Sequence, residues 1–154
     1  MSRLRAGLAL ASGIVGAVLL LAGCASAPAG VSISFDDGDG QTTVSGNPAS
    51  VRCTTTSASG IATDAPQTGV TVQFGDGAQQ SSVSAWVNDD RIHLFEARDI
   101  DIEVDGDRIR IDAAPGTVTI AEAEPGDQPG PGSFDTENAT EVDGSLTIDL
   151  TCDR

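Results

Sequence analysis

Apolar and polar residues alternate with a period of two along most of the chain after residue 30. This period places every second side chain on one face of a β-strand, and no window of about eleven residues shows the spacing of an amphipathic helix. Turn-forming Asp, Asn and Gly residues separate the alternating runs. The apolar positions of the predicted strands are Val31, Ile33 and Phe35; Val51 and Cys53; Val70, Val72 and Phe74; Val83, Ala85 and Val87; Ile92 and Leu94; Val118 and Ile120; and Leu146, Ile148, Leu150 and Cys152.

Short strands at this spacing predict an all-β fold, either a compact antiparallel β-sandwich or a partly open barrel. We expect one β domain over residues 31–154. Residues 122–143 interrupt the alternation with several Pro and Gly residues among acidic and small ones. They predict a long exposed loop before the final strand.

One hairpin can be aligned residue by residue around the turn signal Asp105-Gly106. In that alignment isoleucines face isoleucines on one side, and acids face arginines on the other. Apolar pairs would then enter the core while charge pairs meet water, which favours this register over a slip by one residue. The predicted pairs are Ile102 with Ile109, Ile100 with Ile111, Glu103 with Arg108 and Asp101 with Arg110.

The first 23 residues have the architecture of an export signal. Arg3 and Arg5 precede an uncharged apolar run from residue 6 to residue 21, and Leu21-Ala22-Gly23-Cys24 resembles the bacterial lipobox. This resemblance implies cleavage before Cys24 and attachment of acyl chains to its sulfur, which would anchor the protein to a membrane. The alternative is an ordinary secretory signal in which Cys24 is a spare thiol. Residues 24–30 would form a short tether.

The chain has three cysteines, and lipidation of Cys24 would leave Cys53 and Cys152. An even pair in an exported protein suggests a disulfide, and both residues lie on the apolar face of their predicted strands. The alternative is a metal site, although two isolated cysteines and a single histidine have poor ligand spacing. Closing a loop of this length would stabilise the fold by about 4–5 kcal/mol in the chain-entropy model.

The charge balance excludes some partners. The chain has 8 basic residues, all of them Arg, and 23 acidic ones, for a formal charge of −15. Removal of the leader would leave 6 Arg against the 23 acids, or −17. A nucleic-acid binder needs a basic surface, so we expect no nucleic acid partner. Electrostatic attachment to an anionic membrane is excluded for the same reason.

The pattern as a whole resembles the actinobacterial 19 kDa lipoprotein antigen family. The resemblance rests on the lipobox leader, an early strand–Asp/Gly turn–strand unit, Cys53 followed by three Thr residues, and a final alternating strand that ends in Cys152. It implies an acylated, non-catalytic surface antigen with one disulfide on the extracytoplasmic face of an actinobacterial cell membrane. The tether has one Ser, Ser26, and no Thr, and so departs from the glycosylated linker of related antigens.

Candidate chemical residues are few. Asp36-Asp37-Gly38-Asp39-Gly40 could be a calcium loop, but it lacks the usual ligand spacing and is more typical of an acidic turn. His93 is the only histidine, and no Gly-x-Ser-x-Gly motif accompanies it. We expect it at the surface or at a boundary, where His93→Gln would cost under about 1 kcal/mol. Trp86 is either an exposed aromatic that binds a sugar or partner, or a cover for a second apolar face; we favour the cover.

Three function classes follow from these observations. The leading one is a non-catalytic surface lipoprotein with an interaction or structural role, for which a host receptor is one candidate partner. The second is a carrier of an envelope lipid or other small apolar ligand, which would need a cavity of several hundred Å³ between the sheets. The third is an enzyme, which would need His93 in a cleft beside an acid and a nucleophile. We expect no enzyme and no cofactor.

Overall fold

A computed structural model of the protein describes residues 30–123 and 138–154, which form ten β-strands and no helix. Every strand pair is antiparallel, so the all-β prediction is confirmed. The strands are β1 (Gly30–Asp36), β2 (Gln41–Gly46), β3 (Ser50–Cys53), β4 (Ser57–Ala62), β5 (Gln67–Gln73), β6 (Ser82–Asn88), β7 (Arg91–Arg98), β8 (Glu103–Asp105), β9 (Arg108–Glu122) and β10 (Thr140–Thr151).

The strands follow one another around a single curled sheet in the order β2-β1-β10-β9-β7-β6-β5-β4-β3, and β8 pairs only with β9. The first strand lies beside the last, while the edge strands β2 and β3 are joined by residues 47–49 and do not pair. The end of the chain is attached to the edge of β3 that does not pair with β4. There the Asp153 N–H donates to the Val51 carbonyl at 2.7 Å. The result is a partly open barrel.

The inward face of the sheet forms one apolar core. Every strand except the exposed β8 contributes inward residues at alternate positions, and the largest fully buried side chains are Phe35 and Phe95. On both faces of the sheet, side chains alternate with the period of two that the sequence predicts. Inward residues include Val31, Ile33, Val51, Val70, Val72, Val83, Ala85, Val87, Val118, Leu146, Ile148 and Leu150.

A β-bulge changes the phase of alternation within β9. Asp112 and Ala113 both lie opposite Thr147, because Ile111 pairs with Ile148 and Ala114 with Leu146. The extra residue moves the inward positions of β9 from odd to even numbers, so both halves of the strand face the core. Sequence periodicity had presented these halves as two separate strands.

The register predicted for the hairpin around Asp105-Gly106 is wrong by two residues. The turn is Gly106-Asp107, and Glu103 pairs with Arg110 instead of Arg108. Residues 99–102 do not continue the strand, because the Ser81 hydroxyl donates to the Ile100 carbonyl and accepts from its N–H, at 2.6 and 2.9 Å. A shift of two leaves the paired side chains on their predicted faces. Ile100 and Ile102, although outside the strand, also pack against the core as predicted.

The predicted loop at 122–143 ends earlier than the alternation suggested. Residues 140–143 belong to β10, where they continue the pairing with β9. The Pro-rich part of the loop, residues 124–137, lies outside the described residues.

Candidate functional site

The two cysteines predicted to pair come together at the edge of the barrel. Cys53 ends β3, and Cys152 follows β10; their Cα atoms are 5.7 Å apart and their sulfurs are joined in a disulfide. Both are partly buried against the core. The predicted pairing is therefore confirmed. Cys24 and the leader lie outside the described residues, and within those residues no helix is long and apolar enough to cross a membrane.

His93 is not at the surface, so its predicted position is wrong. Its exposed fraction is 2%, and its ring centroid lies 5.3 Å from that of Phe35. Its Nδ1 is 3.9 Å from an Asp89 carboxylate oxygen and has no hydrogen-bond partner. Burial lowers the pKa of His93; the Asp89 carboxylate opposes this effect, and Arg91 adds to it.

The acidic segment after β1 forms the tight turn to β2. The Asp36 carboxylate accepts from the Gly38 N–H at 2.9 Å, and that of Asp37 accepts from the Asp39 N–H at 3.0 Å and from the Thr42 hydroxyl at 2.9 Å. These bonds lower the pKa of Asp37. The carboxylates thus serve the turn, as the favoured interpretation of the sequence predicts.

The outward face of β3–β6 carries a groove of about 350 Å³. We call it the Trp86 groove. It is built from two adjacent rows of side chains that run across these four strands. The first row is Arg52, Ser59, Thr71 and Ser84, and the second is Ser50, Ile61, Gly69 and Trp86. One side of the groove is therefore polar and the other largely apolar.

Trp86 is packed into this outward face rather than projecting from it. Its exposed fraction is 4%, and its indole ring lies directly over Gly69, where a Cβ would collide with the ring. A residue without a side chain at position 69 therefore lets the ring lie flat on the sheet. This arrangement agrees with the predicted cover over a second apolar face, and part of the indole still lines the groove.

The indole N–H of Trp86 is an unused donor. It meets no acceptor among residues 30–123 and 138–154, where His93 Nδ1 is the one fully enclosed side-chain nitrogen or oxygen without a partner. The Trp86 nitrogen, which lies over Gly69, is therefore not fully enclosed, and water can reach it.

The groove differs in charge from the rest of this acidic protein. No Asp or Glu lines it, and its one charged side chain is that of Arg52. Within the described residues, Arg52 has no carboxylate in ion-pair range, whereas Arg108, Arg110 and Arg154 each have one. The groove therefore presents donors and one free positive charge.

A larger groove of about 800 Å³ lies beside the β8 hairpin. Both of its arginines are already paired, since Arg108 donates to both Asp149 oxygens and Arg110 lies 3.9 Å from Glu103. Asp101 and Asp112 add two further negative charges. The hydrogen bonds from Arg108 lower the pKa of Asp149, and the groove as a whole carries four acids against two arginines that are both engaged. We therefore take the Trp86 groove as the candidate site.

The sequence contained part of the information that identifies this groove. Trp86 stands out as the one large apolar residue opposite Val83, Ala85 and Val87. Arg52 and the hydroxyl residues were missed because alternation does not show which strands are neighbours. No protein family model, no curated protein and no solved structure matches the chain.

Proposed function

We propose that the protein is a lipid-anchored lipoprotein of the cell envelope, of the lipoprotein antigen type, with a non-catalytic interaction or structural role. The observation that carries the proposal is the position of the lipobox-like cysteine. Cys24 precedes the first strand by six residues, since β1 begins at Gly30. An extended tether of that length reaches about 20 Å, so acyl chains on Cys24 would hold the barrel close to the bilayer.

The environment of His93 supports a non-catalytic role. A general base must reach its target directly or through one water molecule. His93 lies in the core against Phe35, and no hydroxyl or thiol of the described residues forms a hydrogen bond with it.

The packed interior argues against the alternative of a carrier with an internal apolar pocket. The inward side chains of the strands form one continuous apolar cluster among the described residues, with Phe35 and Phe95 fully buried in it. A ligand on the outer surface, where the Trp86 groove lies, would leave this cluster undisturbed.

Metabolic labelling with an alkyne fatty acid tests the anchor. We expect the wild-type protein to incorporate the label and to stay in the membrane fraction. Cys24→Ala should lose both properties, because the acceptor sulfur is gone, and it should keep its leader.

Ser26→Ala is the matched control, since it changes a tether residue two positions away and should label normally. Undiminished labelling of Cys24→Ala would refute the proposed anchor.

A further inference from the structure

The Trp86 groove combines three features that a ligand could use together. Its polar row presents the hydroxyls of Ser59, Thr71 and Ser84, none of which forms a hydrogen bond with another described residue. Ile61 is 51% exposed on the opposite row. An apolar wall facing a line of hydroxyls suits a ligand that has one apolar face and many hydroxyl groups.

The indole N–H of Trp86 adds a donor beside the polar row. The residue as a whole is 4% exposed and lines the groove, but its nitrogen is not among the fully enclosed atoms without a partner. Water can therefore satisfy this donor in the free protein, and a ligand acceptor could replace that water. Arg52 supplies further donors at the end of the polar row.

We propose that the Trp86 groove binds a saccharide that carries a carboxylate. The carbon–hydrogen face of the sugar ring packs on Ile61 and the exposed edge of Trp86. The sugar hydroxyls bond to Ser59, Thr71 and Ser84, and the carboxylate pairs with the Arg52 guanidinium in the two-point geometry that this group favours.

The charge of the protein narrows the ligand further. A chain with a formal charge of −15 repels polyanions, so a glycan with an acid on every sugar is disfavoured. A saccharide with only an occasional carboxylate can form an ion pair with Arg52, while its neutral sugars are not repelled by the negative charge of the protein. This inference deepens the proposed function, from which it takes only the setting at the cell envelope.

The single tryptophan of the chain provides a specific readout. The ¹H–¹⁵N spectrum of the mature acylated protein in detergent micelles contains one indole signal, that of Trp86. We titrate it with cellobiouronic acid, a disaccharide with one carboxylate, and with cellobiose, its neutral counterpart. We expect the indole signal to shift with saturation for the acid, and about tenfold weaker binding for cellobiose.

Variants test whether the disaccharide binds in the groove or elsewhere on the protein surface. Arg52→Gln should weaken binding of the acid about tenfold and bring it to the level of cellobiose, because the charged hydrogen bonds are lost. Arg98→Gln is the matched control, since Arg98 is also exposed and outside any ion pair of the described residues. Trp86→Phe keeps an aromatic ring without the N–H and should also weaken binding, measured through the backbone signals of Ser84.

The proposal is wrong if cellobiouronic acid leaves the indole signal unmoved at millimolar concentration, if cellobiose binds equally well, or if Arg52→Gln and Arg98→Gln bind alike. These outcomes are distinguishable from failure of the anchor. Loss of acylation would be seen by labelling alone, and an acylated protein that ignores both disaccharides would refute only the saccharide site.

Discussion

At the scale of single residues, His93 has the least typical environment. Its ring lies on the inward face of β7 between Val87 and Ile120 of the neighbouring strands. The predicted position at the surface or a boundary was wrong because both faces of β7 carry apolar residues: Phe95 is buried on the inward face and Ile92 on the other. Which face enters the core depends on the neighbouring strands, and alternation within one strand does not reveal them.

The buried imidazole makes stability depend on pH. Because burial lowers the pKa of His93, the unfolded chain binds a proton below about pH 6.5 while the folded domain resists it. Above that pH both states are neutral at this group, and stability is lost as the pH falls through 6.5. We expect the free energy of unfolding, measured by urea denaturation, to be lower at pH 5.5 than at pH 7.5, by at most about 1.4 kcal/mol because a single group titrates over one unit below 6.5.

His93→Gln is the control for this effect, since glutamine does not titrate and should remove the difference between the two pH values. The substitution should itself cost about 1–3 kcal/mol, more than a surface change, because it alters a fully buried side chain. A wild-type protein equally stable at both pH values would contradict the argument.

At the scale of elements, the bulge in β9 is the feature that alternation alone did not predict. Its residue Ala113 has φ 47°, a left-handed conformation that an L-residue with a Cβ adopts at a cost. The bulge is held by the Ala113 N–H, which donates to the Thr147 hydroxyl at 3.3 Å. The sequence nevertheless shows its effect, since the apolar positions of β9 are odd up to Ile111 and even from Val118.

Ala113→Gly should therefore stabilise the domain by about 0.5–1 kcal/mol, because glycine adopts positive φ without steric cost. Thermal and urea denaturation measure the change. Ala49→Gly is the matched control: Ala49 is also exposed, and no positive φ is recorded for it, so added backbone freedom should destabilise there.

Equal effects of the two substitutions would show that backbone strain at the bulge is not significant.

The β8 hairpin shows the limit of assigning register from charge pairs. Arg108 and Arg110 both find acidic partners, but Arg108 pairs with Asp149 of β10 and not with Glu103 of its own hairpin. In an acidic chain several carboxylates compete for each arginine, so local complementarity does not select one register. The faces were predictable because they depend only on the period of two.

At the scale of the whole molecule, the fold class and the inward cysteines could be predicted, because both follow from alternation. The strand order could not, since pairing of β1 with β10 joins residues more than 100 positions apart. The junction between β3 and the end of the chain also needed the structure. There the Asp153 carboxylate accepts from the Val51 N–H and the Ser50 hydroxyl, each at 2.9 Å.

The disulfide spans this junction and joins cysteines with a sequence separation of 99. Replacing Cys53 and Cys152 together by Ala should lower the free energy of unfolding by about 2–5 kcal/mol, because the unfolded chain gains freedom when so long a loop is opened. Urea denaturation of oxidised wild type and of the double variant measures this loss.

Asp153→Asn is a useful control, since it weakens the same junction without opening the covalent loop and should cost less. A double variant as stable as the oxidised wild type would show that the hydrogen bonds alone hold the edge of the barrel.

Because β1 and β10 are neighbours in the sheet, the first and last strands of the domain lie side by side. The pattern of strand pairing therefore does not depend on the strand with which the chain begins. A circular permutant that joins Arg154 to Gly30 through a short linker, and opens the exposed connection at Gly77, retains every strand pair. Such a chain would leave the barrel from the β5–β6 connection, so its attachment point can be moved while its fold is kept.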